Sequence, residues 1–398
     1  MKTIFSSLSF FLFCFVINAQ DWTAITSGTT QNLNKIHFVN DSIGFVLGDN
    51  GTLLKSVNSG LDWEIITTHI SENLTTITFA NDQIGFINGL KTINGGNSWQ
   101  SQNSTEFFGV LYALDTNILI GGSALSFDGQ VWKSSDGADT WSSVASPIAT
   151  GFYTDIEFTS LNVGYMTSWY SGHLIKTTDG GSNWSVLLDY NSNPSIDDSY
   201  SVRFPNPNIG IFTSSYNMFK TTDAGTNWTS IFPTNGNSTF RPNGTFCIDQ
   251  NHYIVVGMDE GTSSSKEKIY QTTDGGNNWN LYNSNSPNLN DVYCTSTTCF
   301  AVGENGIILS SDNTLSITDF NQGKESISLY PNPSNNFVNI TAQNEITKVI
   351  VYGILGQFIE EIPVKHNKFS VNHLSNGIYY LSIISTDNSI QTSKFIKE

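Results

Sequence analysis

Few side chains in this sequence carry reactive chemistry, and their spacing limits what that chemistry could be. There are two arginines, Arg203 and Arg241, and six histidines, His37, His69, His173, His252, His366 and His373. The histidines show no zinc-ligand spacing. Gly48-Asp49-Asn50-Gly51 and Gly303-Glu304-Asn305-Gly306 lack the spacing of a calcium loop and read as turns. No phosphate loop or nucleophile motif is present. No metal and no cofactor are therefore expected. Acid–base cleavage of a glycosidic bond needs two carboxyl groups facing each other across a cleft. Asp128, Asp197, Asp198, Asp259 and Glu260 lie in stretches predicted as loops and are the acids available for it, although acidic loop residues are by default solvated.

Binding chemistry has a different set of residues. Irregular inserts occur at 169–173, 191–200, 234–243 and 259–267, and binding residues concentrate on such loops. Aromatic rings stack on sugar faces or fill partner pockets. Trp169, Tyr170, His173 and Arg241 are the candidate ligand contacts. Trp169 reads equally well as a hydrophobic strand end, and Trp132, on a predicted third strand, reads as core.

Those side chains need a frame, and the composition says it is β. Charged residues make up 13% of the 398, too few to coat helix surfaces, whereas Gly, Ser, Thr and Asn suit turns and strands. One motif recurs six times: Ser or Thr, any residue, Asp or Asn, two residues with Gly, two more, then Trp. Its acceptor and aromatic residues are Asn58 and Trp63, Asn94 and Trp99, Asp136 and Trp141, Asp179 and Trp184, Asp223 and Trp228, and Asp274 and Trp279. Successive Trp residues are 36, 42, 43, 44 and 51 apart, the period of one four-stranded propeller blade. Each part has a local job. The Asp or Asn accepts hydrogen bonds from its own turn, Gly permits φ > 0, and Trp anchors the hairpin. These carboxylates are expected to be structural. Lys55, Lys91, Lys133, Lys176 and Lys220 each precede a motif and are expected to form a solvated stripe.

Alternating runs precede each motif, such as Ile36-His37-Phe38 before Ile43-Gly44-Phe45 and Ile156-Glu157-Phe158 before Val163-Gly164-Tyr165. Each repeat therefore reads strand, turn, strand, loop, strand, motif turn, strand. A seventh copy, from Val292 to Asp312, lacks its Trp, while Asp21-Trp22 near the N-terminus looks like the missing end. That segment is expected to supply the last strand of blade seven and leave no open edge.

The motif resembles the Asp-box of sialidases, xyloglucanases and sortilin-type receptors. The whole repeat, over 21–312, is most similar to the photosystem II stability/assembly-factor-like propellers. The resemblance implies a fold but not an activity. A sialidase-type site would need an arginine triad, and this chain has two arginines. A xyloglucanase-type site would sit between two tandem propellers, and only one fits in this length.

Residues 1–19 read as a signal peptide: Lys2, an apolar stretch from Ile4 to Ile17, and cleavage after Ala19. Residues 313–324 read as a linker. From 325 to 398, short alternating strands suggest a small β-sandwich. This stretch resembles the type A sorting domain of type IX secretion, through Leu329-Tyr330-Pro331-Asn332-Pro333, Val351-Tyr352-Gly353, Leu374-Ser375-Asn376-Gly377 and the terminal Lys394-Phe395. The resemblance implies export across a Gram-negative outer membrane, with the secretion machinery as partner. Export permits disulfides, and Cys294 and Cys299 flank a hairpin-like turn where they are expected to pair. Cys247 is expected to be a buried free thiol.

Net charge is −17, and residues 21–320 hold 10 basic against 28 acidic residues, so nucleic acid and anionic lipid are poor partners. No segment beyond the signal is expected to span a membrane. The expected protein is all-β: a seven-bladed β-propeller followed by a small C-terminal β-sandwich. It is expected to be secreted or displayed on the cell surface as a non-catalytic binding protein for a glycan or protein ligand. The alternative is a glycan-cleaving hydrolase using the loop carboxylates.

Overall fold

The computed structural model describes residues 22–102, 108–123, 129–170, 172–189, 198–232, 239–259, 266–283, 287–312, 328–342, 346–352, 358–386 and 390–397. The expected signal peptide and the 313–324 linker lie outside them. The chain divides into two compact units, residues 1–316 and 317–398. Among the described residues no helix is long and apolar enough to cross a membrane.

The first unit is a β-propeller. Blade one pairs Leu33–Phe38, Gly44–Gly48, Leu53–Ser56 and Glu64–Ile66 in sequence order, all antiparallel. Blades two to six repeat this through residues 77–101, 108–144, 152–188, 199–230 and 240–283. Blade seven is composite. Leu289–Cys294, Thr298–Gly303 and Ile308–Asp312 are followed at the outer edge by Thr23–Ile25, with Thr23 opposite Ser310 and Ile25 opposite Ile308. Trp22 packs beside this seam.

Each motif turn is locked from within. In blade one Ser56 Oγ donates to Asn58 Oδ1 (2.9 Å), Gly60 N–H to Ser56 Oγ (2.9 Å) and Asp62 N–H to Asn58 Oδ1 (3.0 Å). The carboxyls of Asp136 and Asp179 in the same role are pulled down to about 2, chiefly by bonds from Thr140 and Asn183. Gly60 takes φ 79°, and a Cβ there would lie 2.4 Å from Phe300 of blade seven. Trp63 is buried edge-on to Phe38. The turn also fastens the first hairpin of its own blade: Ser59 N–H donates to Ser42 O, and Gly95, Gly137, Gly180, Ala224 and Gly275 do the same for blades two to six.

The five lysines do not form a solvated stripe. Each reaches across to the motif turn of the next blade. Lys55 Nζ donates to Gly95 O (2.8 Å) and Asn97 Oδ1 (2.8 Å), Lys91 to Gly137 O, Lys133 to Gly180 O, Lys176 to Ala224 O and Lys220 to Gly275 O. Lys55 is only 8% exposed. The physical reason is that a φ > 0 turn leaves a carbonyl without a backbone donor, and a long cation satisfies it from the neighbouring sheet.

On the opposite face a second clasp joins blades. Asn34, Asn243 and Asn290 Nδ2 and Thr154 Oγ1 donate to the carbonyls of Leu74, Leu289, Leu33 and Ser199 respectively. The sequence of blade seven lacks the motif whose turn holds the first hairpin in the other blades. There Cys294 and Cys299 are bridged, with Cα atoms 4.0 Å apart. Ser296 in the enclosed turn donates from N–H and Oγ to the Asp41 carboxylate of blade one (3.0 and 2.6 Å).

The second unit stacks two sheets. One holds Ser328–Tyr330, Phe337–Thr341 and Lys368–Ser370. The other orders Phe358–Pro363, Ile346–Tyr352, Gly377–Ser385 and Ile390–Lys397. Val338, Ile340, Val349, Val351, Phe369, Leu381, Ile383 and Phe395 fill the space between them.

Candidate functional site

Two features gather chemistry, both built from the inner strand of each blade. The first is a basin of about 480 Å³ on the face where those strands begin, opposite the motif turns. On the side of blade four Phe152 lines it, and two further rings extend outward from Phe152. Phe152 stacks on Trp169 at 4.8 Å, and Tyr170 follows at 6.1 Å. Tyr170 is 64% exposed and left-handed at φ 74°, and its N–H donates to Asp198 Oδ1 (2.8 Å). Across the basin Arg241 lies over the Tyr200 ring at 4.8 Å. Basin carboxylates are engaged within the fold: Asp49 accepts from Asn32 and Asn34, and Asp155 from Ser201, Val202 and Ile156.

The structure therefore brings Trp169 and Tyr170 together at a strand end, half-buried and exposed respectively. His173 is half-buried on the same hairpin, its carbonyl accepting from Ser168 N–H (3.0 Å). Arg241 sits on the inner strand Phe240–Cys247 rather than in a loop, and Asp259 closes the strand Tyr253–Asp259, opposite Lys266. The strands of blade six run longer than the sequence suggests because Lys266-Glu267-Lys268 hides their alternation. Asp128, Asp197 and Glu260 lie outside the described residues. Trp132 is half-buried against the core of blade three.

The second feature is the central channel below the basin, a cavity of about 330 Å³. Lys35 bridges its top. The ammonium lies 3.6 Å from Asp291 Oδ1 of blade seven and 4.0 Å from Asp155 Oδ1 of blade four. Asp155 also pairs with Arg203 of blade five, and this charge together with Lys35 holds its carboxyl below the usual range against the opposing effect of burial. Asp291 goes the other way, pushed up by burial although it accepts from Ile36 N–H (3.0 Å).

Beneath this bar, His37, Tyr112, Glu157, Arg203, Phe246 and Tyr293 come from equivalent positions of six inner strands and face the channel, each half-buried. Burial pushes the Glu157 carboxyl up to about 7, with Arg203 opposing. Burial and the charges of Lys35 and Arg203 push His37 down to about 4. Cys247 is a free thiol, but it is half-buried on the channel wall rather than sealed in a core, and desolvation raises its pKa.

Sequence reasoning passed over this ring. Most of its members sit between two apolar residues, as in Ile156-Glu157-Phe158 and Val202-Arg203-Phe204, which read as strand alternation. Only blade geometry turns that shared position inward.

Three family models match parts of the chain. Residues 328–398 match the secretion system C-terminal sorting domain, 172–359 a sortilin model (neurotensin receptor 3), and 15–143 the photosynthesis system II assembly factor YCF48. The chain is an Asp-box propeller that ends in a secretion-system sorting domain. That tail is the address for type IX export, to the cell surface or beyond it. Among solved structures, the propeller is similar to YCF48 bound to D1 peptide, at 17% identity and a TM-score of 0.59 over 74% of this chain and 96% of that one. The chain is also similar to two GH74 structures. The Niastella koreensis enzyme gives 13% identity and a TM-score of 0.59 over 95% of this chain and 74% of that one. The Xanthomonas campestris xyloglucanase gives 12% and 0.60 over 95% and 68%. At these identities the likeness is one of fold. No curated protein matches.

Proposed function

We propose that this protein is a non-catalytic binding propeller, carried by a signal peptide and type IX secretion to the cell surface or the medium. Its ligand docks on the basin face, with Trp169 and Tyr170 as anchors. The observation that carries this reading is the aromatic row itself. Tyr170 is exposed and held by a hydrogen bond from its own backbone to Asp198, and Trp169 is braced against Phe152. A large ring already fixed in place loses little entropy on binding. The basin acids Asp49 and Asp155, and Asp198 beside Tyr170, accept bonds from the protein itself, which favours recognition over acid–base work. The likeness to a propeller solved with a peptide supports a polypeptide ligand.

The test is a glycan and host-protein array probed with the mature chain and with Trp169→Ala and Tyr170→Ala. Each substitution should weaken the captured ligand by roughly 1–3 kcal/mol while leaving the unfolding midpoint in place. Unchanged affinity in both would remove the anchors from the site. The likeness to GH74 enzymes keeps one competing reading, glycan hydrolysis. Release of reducing sugar that disappears on replacing Asp128, Asp197, Asp198, Asp259 or Glu260 would establish it.

A further inference from the structure

The channel beneath the Lys35 bar adjoins the basin, sharing Lys35, Thr154 and Asp155 with it, but its chemistry is independent of the reading given to that face. We infer that this channel binds an organic ammonium group, seated between the Glu157 carboxylate and the rings of Tyr112, Tyr293 and Phe246.

The argument begins with charge. The ionic side chains lining the cavity are Lys35 and Arg203 against Asp155, Asp291 and Glu157. Four of them are matched: Arg203 to Asp155, and Lys35 to Asp291 with Asp155 at its other side. Glu157 is left over. Among the described residues, none donates a hydrogen bond to its carboxylate or forms an ion pair with it. A carboxylate in a confined cavity must take up a proton or find a cation, because desolvation penalises the bare charge. Its raised pKa is the first answer, and a bound cation would be the second.

The walls select the kind of cation. Tyr112, Phe246 and Tyr293 come from three different blades, and Tyr293 and Phe246 meet at 4.9 Å. Tyr112, Glu157 and Tyr293 line the same cavity from equivalent strand positions, so the rings and the carboxylate border one space. Both hydroxyls donate outward to backbone, to Phe158 O (3.5 Å) and Phe38 O (3.1 Å). A metal ion would want several oxygens, and the described residues hold no cluster of metal-ligating side chains. An alkylammonium wants one carboxylate and aromatic faces for its methylenes or methyls. A volume of about 330 Å³ accommodates such a group with its first few carbons. An anion is opposed by the excess acid.

Other titratable groups face the same space. His37 is neutral above about pH 4 and adds no competing charge at neutral pH. The Cys247 thiol stays protonated, and Arg203 remains cationic. Glu157 is thus the group whose ionisation near neutrality switches the site.

The experiment is a titration of the full mature chain with n-butylammonium, followed by calorimetry and saturation-transfer NMR. Butyrate serves as the anionic control and butanol as the neutral one. Butylammonium should bind at pH 8 and weaken roughly tenfold per unit as pH falls below 7, while butyrate should not bind. Glu157→Gln should reduce the affinity at pH 8 by roughly tenfold or more and abolish the pH dependence. Tyr293→Leu should weaken binding severalfold with the pH dependence retained. The wild-type charge series and pH profile stand without any variant. Failure of butylammonium to bind at pH 8, equal binding of butyrate or butanol, or a flat pH profile in the wild type would each overturn the inference.

Discussion

Replacing Lys55 with Met tests the inter-blade lysines most directly. Met keeps an unbranched stem of similar length and removes the ammonium. Two hydrogen bonds are lost, at 2.8 Å each, to Gly95 O and Asn97 Oδ1. Bonds from a charged donor contribute about 1.5–3 kcal/mol each in mutational series. Burial of the ammonium offsets part of that gain, as its lowered pKa indicates. The Gly95 carbonyl then loses its cationic donor. The net expectation is a loss of about 2 kcal/mol, or roughly 3 °C in Tm for a domain of this size. Every one of the nine Trp residues lies before residue 280, so Trp fluorescence in urea reports the propeller and is blind to the second unit. A change below about 0.5 kcal/mol, the value expected of a solvated surface lysine, would refute the reasoning.

Deleting residues 22–26 should destabilise the propeller by several kcal/mol in the same assay, because three ladder pairs and the packing of Trp22 are lost; an unchanged midpoint would show that the ring does not depend on that strand. A chain ending at Gly323 should fold as a propeller yet accumulate in the periplasm, as cell fractionation would read. Stability should be nearly flat between pH 4.5 and 6.5, because two channel groups oppose each other. The folded pKa of His37, near 4, lies below its unfolded value of 6.5, so its contribution is lost as pH falls through that window. That of Glu157, near 7, lies above 4.5, so its contribution is lost as pH rises. Each limb is on the order of 2–3 kcal/mol after allowance for channel water. His37→Gln should therefore leave stability falling with pH and Glu157→Gln leave it rising, and parallel flat profiles in both variants would contradict the assignment.

What could be read in the sequence was whatever is settled within a few residues. Asn58 and Trp63 reveal their turn because acceptor, glycine and ring all act inside one hairpin. The strand supplied by Thr23–Ile25 was legible because its partner, Ile308–Asp312, ends where a Trp should follow. Lys55 was misread because its acceptor lies 40 residues on, in a different sheet. The channel ring was passed over for another reason. His37, Tyr112, Glu157 and Arg203 share a structural position but no chemistry, so nothing repeats. Arg241 and Asp259 were assigned to loops because a charged run in blade six concealed strand alternation.

The lysine contact has a direction. Each donor blade gives a cation forward and, from blade two onward, offers a carbonyl backward, so the same surface patches recur at every step. Contacts of this head-to-tail kind have no intrinsic end; they continue until geometry closes them or a unit refuses to take part. Blade six presents Gln271 where the lysine would stand, and the sequence of blade seven lacks the motif whose turn would receive one. The last two blades thus act as a terminator for the repeating contact. A duplicated blade inserted among the first five would find both halves of its joint ready, whereas one inserted between blades six and seven would find neither. The ring is thus fastened by one repeated contact over five joints and by other means over the last two.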